Sequence, residues 1–289
     1  MEPGDRVAIF GRLSWLWPVV DFAAMGFGSV AVGLEHDLAD AVLVDILSQA
    51  GARAVFATDP ESAGRAERLR REGRLGGATV VAEGLPEEEG LLPLARFLDL
   101  GSILDTAERA QAFRAVSRQI DPRSEAYWHA GPEGLARLSH KEAMARLEPW
   151  LRAHPALSGD VAYLEGPRVD LETRLALAGF VGDGRTTTAL GREAQTDADV
   201  AELRPHKMIV PGEWLEATCR GQGPRWPAGL DRPWARRRLL ERLGGRSRWI
   251  ATSSRLGAET ARALDTAGVT HHMTETGAAG SGRESDTVH

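Results

Sequence analysis

The sequence predicts an α/β fold in which parallel sheets are flanked by helices. Three observations predict it. The chain opens as strand, helix, strand; short buried apolar runs then keep alternating with amphipathic helical runs; and no repeat at a solenoid period and no low-complexity domain interrupts that alternation.

Taken in order, Val7-Ala8-Ile9-Phe10 reads as the first strand, a helix follows around Trp15 to Phe27, and a second strand runs from Ser29 to Val32. The apolar stretch Trp15 to Val32 is broken by Pro18, Asp21, Gly26 and Gly28, so it reads as a buried helix and strand and not as a membrane span. An amphipathic helix from about Asp40 to Ala50 is closed by Gly51, and Ala54 to Ala57 is the next strand. The arginine- and glutamate-rich run from Asp59 to Gly77 is a surface helix that feeds a strand at Thr79 to Val81. Glu87-Glu88-Glu89 is a solvated acidic loop.

A single helix is predicted around Ser102 to Gln119, then Asp121-Pro122, leading to Ala126-Tyr127-Trp128 and a glycine-bearing turn through Ala130 to Gly134. A helix from Lys141 to Ala153 follows. Val161 to Leu164, Val181, Met208 to Val210 and Trp249 to Ala251 are the later strand candidates, separated by helices near Leu171 to Ala178, Gly212 to Cys219 and Ala258 to Ala267. Gly221 to Pro233 reads as a surface loop, and the Gly/Ser/charge-rich residues 277–289 as a flexible tail.

At 289 residues one large domain or two smaller ones are equally reasonable. Thirty-five Lys+Arg against 41 Asp+Glu give a net charge of -6, so no positive field gathers nucleic acid or anionic lipid. Only Lys141 and Lys207 are lysines, and both read as solvated. The one cysteine, Cys219, excludes an internal disulfide and a cysteine-based metal site, and no signal peptide opens the chain; a cytoplasmic location is expected. Ser139-His140 are sequence neighbours and cannot converge as a hydrolase pair. Arg236-Arg237-Arg238 read as a surface helix pairing with Glu241.

Several segments, in order, carry a family resemblance: Gly4-Asp5-Arg6-Val7-Ala8-Ile9, then Trp15 and Gly26-Phe27-Gly28-Ser29-Val30-Ala31-Val32, then Ile46 to Arg53, then Leu203-Arg204-Pro205-His206 with Val210-Pro211 and Trp214, and finally Met273-Thr274-Glu275-Thr276. The chain resembles the adenylate-forming, AMP-binding superfamily, in particular the large N-terminal domain of long-chain acyl-CoA synthetases, over about residues 4–280. The resemblance implies a domain over 1–276, with a subdomain break near 121–140. It also implies ATP or AMP and Mg as cofactors, and chemistry in which a carboxylate attacks the α-phosphate of ATP. By that resemblance Thr274 and Glu275 match the family's phosphate- and Mg-contacting pair, Glu275 being the metal ligand. The alternative reading of the two residues is a helix or turn cap.

The family cradles phosphates in a Ser/Thr/Gly-rich loop ending in a lysine and Gly. The matching stretch here is Tyr127 to Arg137, leading into Leu138-Ser139-His140. Its Ser/Thr donors are gone, Pro132 has no amide to give, Glu133 places a negative charge among phosphates, and Arg137 takes the place of the lysine. Asp170 falls near the family's central aromatic-or-histidine position. Ser253 to Leu256 replace a Gly-Gly-Ala-Pro turn, and Thr270-His271-His272 replace Gly-Tyr-Gly, with His271 as the candidate adenine-stacking ring. His271-His272 with Glu275 also put a histidine and a carboxylate three or four residues apart, a spacing a helical metal site uses, with His289 too far along the tail to serve as a third ligand. The sequence ends at His289, ahead of the family's ribose-binding aspartate and its small C-terminal lid domain.

Three functional expectations follow. The first is a degenerate relative that does not carry out ATP-dependent ligation and instead binds an acyl ligand or protein partner. The second is an acyl-CoA synthetase activity using Thr274, Glu275 and Arg137 with a lid supplied by another chain. A structural or oligomeric scaffold is the third.

Overall fold

A computed structural model describes residues 1–131, 134–153, 155, 157–165, 169–182, 184–191, 195–220, 233–252 and 254–273. Thr274, Glu275, the tail, the loop residues 221–232, Pro132-Glu133, Pro167-Arg168 and Ser253 lie outside the described residues.

The first half builds one sheet. Strand β1 (Arg6–Phe10) leads into α1 (Leu16–Gly26) and β2 (Val30–Leu34), and α2 (Asp40–Ala50) into β3 (Ala54–Ala57). Then come α3 (Pro60–Arg71), β4 (Thr79–Ala82), β5 (Leu91–Pro93), α4 (Leu94–Leu104), α5 (Ala107–Gln119), β6 (Glu125–Gly131) and β7 (Gly134–Ser139). Helix α6 (His140–Ala153) carries the chain to the second sheet. That sheet is built from β8 (Val161–Leu164), α7 (Leu171–Gly182), β9 (Thr187–Leu190), α8 (Thr196–Leu203), β10 (Lys207–Ile209), α9 (Gly212–Arg220), α10 (Pro233–Arg242), β11 (Trp249–Thr252), α11 (Ala258–Ala267) and β12 (Thr270–Met273).

The strand order is β5-β4-β3-β1-β2-β6-β7 in the seven-stranded sheet and β12-β11-β10-β8-β9 in the five-stranded one. Every pairing is parallel except β6 with β7. Arg6 pairs with Val30 and Phe10 with Leu34, so β1 and β2 run in step at the centre of the sheet. All five residues of β2 are buried, as expected of a strand covered on both faces.

Three of the four buried apolar clusters among the described residues separate the layers. One face of the first sheet packs Ala8, Phe10, Val32 and Val55 against α2 and α3 through Leu43, Leu47 and Leu69. Its other face shares a core with the second sheet: Val7, Ile9 and Phe56 meet Leu164, Ile209 and Trp249 across Trp17 of α1 and Phe180 of α7. The far face of the second sheet packs Met208 and Ile250 against Leu215, Leu239 and Leu264 of α9, α10 and α11. The result is a five-layer α/β/α/β/α arrangement. Burying these faces is the main favourable term in folding.

Local signals explain the ends. Gly51 closes α2 at φ +59, a left-handed conformation that glycine adopts without steric cost. Asp59 caps α3 by accepting from the Ser62 amide, with Pro60 in the first turn. Ser139 and Glu142 form a reciprocal capping box at the start of α6: the Ser139 amide donates to Glu142 Oε2 at 2.8 Å, and the Glu142 amide donates to Ser139 Oγ at 3.2 Å.

Several expectations are corrected. The single helix over 102–119 is two, α4 and α5, because Asp105 leaves the helical conformation and Thr106 caps a new start by accepting from the Arg109 amide. Val181 is not a strand residue; α7 runs on to Gly182 because Leu175, Ala176, Leu177 and Phe180 keep one face buried. The strands β5, β6, β7, β9 and β12 had no counterpart in the sequence reading. Lys207 is not solvated: it is 4% exposed, donates to the Pro155 carbonyl at 3.1 Å and lies 3.5 Å from Asp160. The arginine pattern of α10 holds, with Arg237 Nε 2.9 Å from Glu241. No helix among the described residues is long and apolar enough to cross a membrane.

Candidate functional site

In open parallel sheets, sites form where the chain leaves the carboxyl ends of the strands. Here those ends are the hairpin β6–β7, Glu35 after β2, Asp59 after β3 and Glu165 after β8.

Of the stretch that sequence reading matched to a phosphate loop, Tyr127 to Gly131 belong to β6 and Gly134 to Arg137 to β7, and the two strands pair antiparallel. Trp128, His129 and Ala130 pair with Val32, Gly33 and Leu34 on one side and with Arg137, Ala136 and Leu135 on the other. Both edges of β6 are therefore occupied by ladder pairing. A concave nest of free amides, the usual phosphate cradle, needs successive N–H groups pointing into open space.

The side chains of β6 are equally committed to the fold. Arg174 of α7, 1% exposed, forks onto Asp21 of α1 with Nε to Oδ2 at 2.8 Å and Nη2 to Oδ1 at 2.5 Å. Its remaining donors reach the Trp128 carbonyl and the Ala31 carbonyl, each at 2.9 Å, and its guanidinium lies 4.4 Å from the Tyr127 ring centroid. Burial pushes the Tyr127 phenol well above its ordinary value, with Asp21 adding to the effect and Arg174 opposing it. Gly33 is required here: a Cβ would lie 2.6 Å from Arg174 Nη1 and 2.8 Å from His129 Nδ1.

His129 is 5% exposed, and neither ring nitrogen has a hydrogen-bond partner; Glu35 Oε1 lies 3.6 Å from Nε2. Burial, reinforced by the positive charge of Arg174, lowers its pKa to about 3, so the ring is neutral at physiological pH. Gly131 is the close-approach partner of Glu35, since a Cβ would come within clashing range of Oε1.

The sequence-predicted residues fall as follows. Arg137 lies on β7, the edge strand of the first sheet, with its guanidinium 4.0 Å from the Trp128 ring centroid. His271 lies on β12, the edge strand of the second sheet, with Nδ1 3.5 Å from Asp265 of α11. Its neighbour His272 has its ring 6.1 Å from that of Trp249, so the two histidines face opposite sides of β12. Asp170 is the N-terminal cap of α7, accepting from the Thr173 amide at 2.7 Å, and this accounts for a carboxylate at that position. Thr274 and Glu275 lie outside the described residues. Arg137 and His271 thus sit on edge strands of different sheets.

Sequence reading missed the buried polar groups. Arg174 with Asp21, Glu35 with His129, and Tyr163 with Glu165 and Asp199 are all of this kind. The Tyr163 hydroxyl lies 3.1 Å from Glu165 Oε2 and 3.0 Å from Asp199 Oδ2, and Thr196 also donates to Glu165. Among the described residues no group of three or more His, Cys, Asp or Glu is arranged to hold a metal ion.

Two mostly parallel sheets flanked by helices match the fold of the N-terminal domain of acyl-CoA synthetases. The sequence agrees over its first part: residues 1–117 match the AMP-binding enzyme family. A Mycobacterium tuberculosis fatty acyl CoA synthetase superposes with a TM-score of 0.65 at 16% identity, covering 94% of this chain and 49% of that one. The N-terminal domain of FACL13 from Mycobacterium tuberculosis gives 0.64 at 14%, covering 96% and 64%. The A domain of the carboxylic acid reductase from Segniliparus rugosus, solved with AMP and a co-purified carboxylic acid, gives 0.63 at 15%, covering 96% and 49%. The chain thus spans between about half and about two thirds of the length of these structures. No curated protein matches the sequence.

Proposed function

We propose that this chain is a non-ligating member of the adenylate-forming group, a pseudoenzyme that keeps the N-terminal fold and acts by binding an acyl ligand or a protein partner. The observation that carries this reading is the double pairing of Trp128, His129 and Ala130 at the position of the phosphate loop. The described residues of that segment do not fit a nucleotide triphosphate. The segment has no Ser or Thr between Tyr127 and Leu138, its strand is paired on both edges, and its one cation, Arg137, rests on Trp128.

Adenylation depends on positioning and on preorganised positive charge around the phosphates. Trp128, His129 and Ala130 are committed to ladder pairing on both edges, and restoring single side chains would not change that pairing. The reading also places the chain in the cytoplasm. Its one cysteine, Cys219, is buried, and burial pushes the thiol up to about 12, so the group is an inert core residue.

Pyrophosphate release with Mg-ATP and a series of fatty acids from short to long, with and without coenzyme A, tests the proposal. It predicts release no faster than the enzyme-free blank for every acid. Acid-dependent release above the blank overturns it.

A further inference from the structure

A groove of about 440 Å³ opens at the amino-terminal edge of the first sheet, the end opposite the hairpin. That volume lies within the roughly 300–1,000 Å³ of small-molecule sites. Its apolar wall is Val30 of β2, Val116 of α5 and Ile120, and three charged residues line it, Arg6 of β1, Asp121, and Glu125 of β6, of which Arg6 and Glu125 form an adjacent pair of opposite charges.

The two charges are adjacent but poorly satisfied by each other. Arg6 Nη2 and Glu125 Oε2 are 3.9 Å apart, at the outer limit of an ion pair, and the side chains stay 38% and 41% exposed. Arg6 Nε is shielded from solvent and has no hydrogen-bond partner. The guanidinium lies 5.7 Å from the centroid of the Trp128 ring, which helps to fix its direction. An Arg6 Nε without an acceptor, beside a half-exposed carboxylate and an apolar wall, is an incomplete arrangement.

We propose that this groove binds a small zwitterion with an apolar side chain, that is, a free apolar α-amino acid. Its carboxylate takes the Arg6 donors, its ammonium faces Glu125, and its side chain lies along Val30, Val116 and Ile120. A singly charged ligand satisfies one group and leaves the other without a match, so the paired charges select the zwitterion over a simple acid or amine. This inference is independent of the proposed function, since none of the groove residues belongs to the segment Tyr127 to Arg137.

Isothermal titration of L-phenylalanine into the full chain tests it. The expected result is saturable binding, at least tenfold weaker for 3-phenylpropanoate and for phenethylamine, which each lack one charge. Arg6→Gln and Glu125→Gln are each expected to weaken phenylalanine binding at least tenfold. Val116→Trp, which fills the groove from the surface of α5, is expected to abolish it with the far-UV circular dichroism unchanged. Absence of binding at millimolar phenylalanine overturns the proposal. So does binding that Val116→Trp leaves intact, because it places the ligand elsewhere on the chain.

Discussion

Arg174 and Asp21 form a two-point ion pair across 153 residues of sequence, at 2.5 and 2.8 Å, with exposures of 1% and 2%. The pair ties α7 to α1 in the layer shared by both sheets, and its spare donors pin the backbone of β2 and β6. It is therefore a junction of the fold and not a surface decoration. A buried pair of this kind is costly to break, because the surviving partner is left as an uncompensated charge.

Asp21→Ala is expected to destabilise the chain by about 3–5 kcal/mol, as breaking one side of a buried pair does. Replacing both partners, Asp21→Leu with Arg174→Met, should recover much of that loss. Denaturant unfolding of the two variants and the parent checks it. A loss under about 1 kcal/mol for Asp21→Ala would show that the charge of Arg174 is satisfied by the carbonyls alone.

His129 predicts an acid-sensitive fold. Its folded pKa is about 3, against an ordinary value of 6.5, so the unfolded chain binds a proton that the folded chain refuses. Stability therefore increases as pH rises from about 3 to 6.5, and that contribution is fully present above 6.5 and lost as pH falls. One such group adds a slope of about 1.4 kcal/mol per pH unit within the window. Unfolding free energies of the parent and of His129→Leu, compared between pH 4 and pH 7, should show a shallower slope in the variant. Equal slopes would mean that the ring takes up its proton in the folded state.

Gly131→Ala is expected to cost about 1–3 kcal/mol, the usual range for forcing extra volume into a packed site. The added Cβ meets the Glu35 carboxylate. Glu35→Ala in the same chain should remove most of the penalty, and thermal unfolding of the single and double variants measures the coupling. Additive effects would place Glu35 elsewhere.

The backbone architecture was largely readable, for identifiable reasons. Val7 to Phe10, Ala54 to Ala57 and Val161 to Leu164 are short apolar runs flanked by polar or turn residues, and each is a parallel strand. Gly51 and Gly268 both mark helix ends by adopting left-handed conformations. What failed to show was structure without an apolar signature. Strand β7 is half-exposed along Gly134 to Ser139, and β9 has no fully buried residue, so neither stands out by hydropathy. The α4–α5 break contains no glycine or proline.

The buried polar groups were illegible for a different reason. In a chain whose cations are almost all arginine, nothing in Leu171 to Gly182 marks Arg174 as the interior one, and its partner is fixed only by tertiary packing. Lys207 was hidden the same way, because Asp160 lies on the neighbouring strand connection. By contrast, the absence of Ser and Thr between Tyr127 and Arg137 is legible in the sequence itself. The pairing of Trp128 to Ala130 on both edges is a matter of backbone neighbours that no side-chain pattern encodes.

The proposed function rests on the pairing of Trp128, His129 and Ala130 on both edges. Titration of Mg-ATP into the full chain, followed by amide hydrogen exchange of Trp128 to Ala130 with and without the nucleotide, tests it most directly. The account predicts no saturable heat and strong protection of these amides in both conditions. Saturable Mg-ATP binding, with a change in exchange confined to this segment, would contradict it.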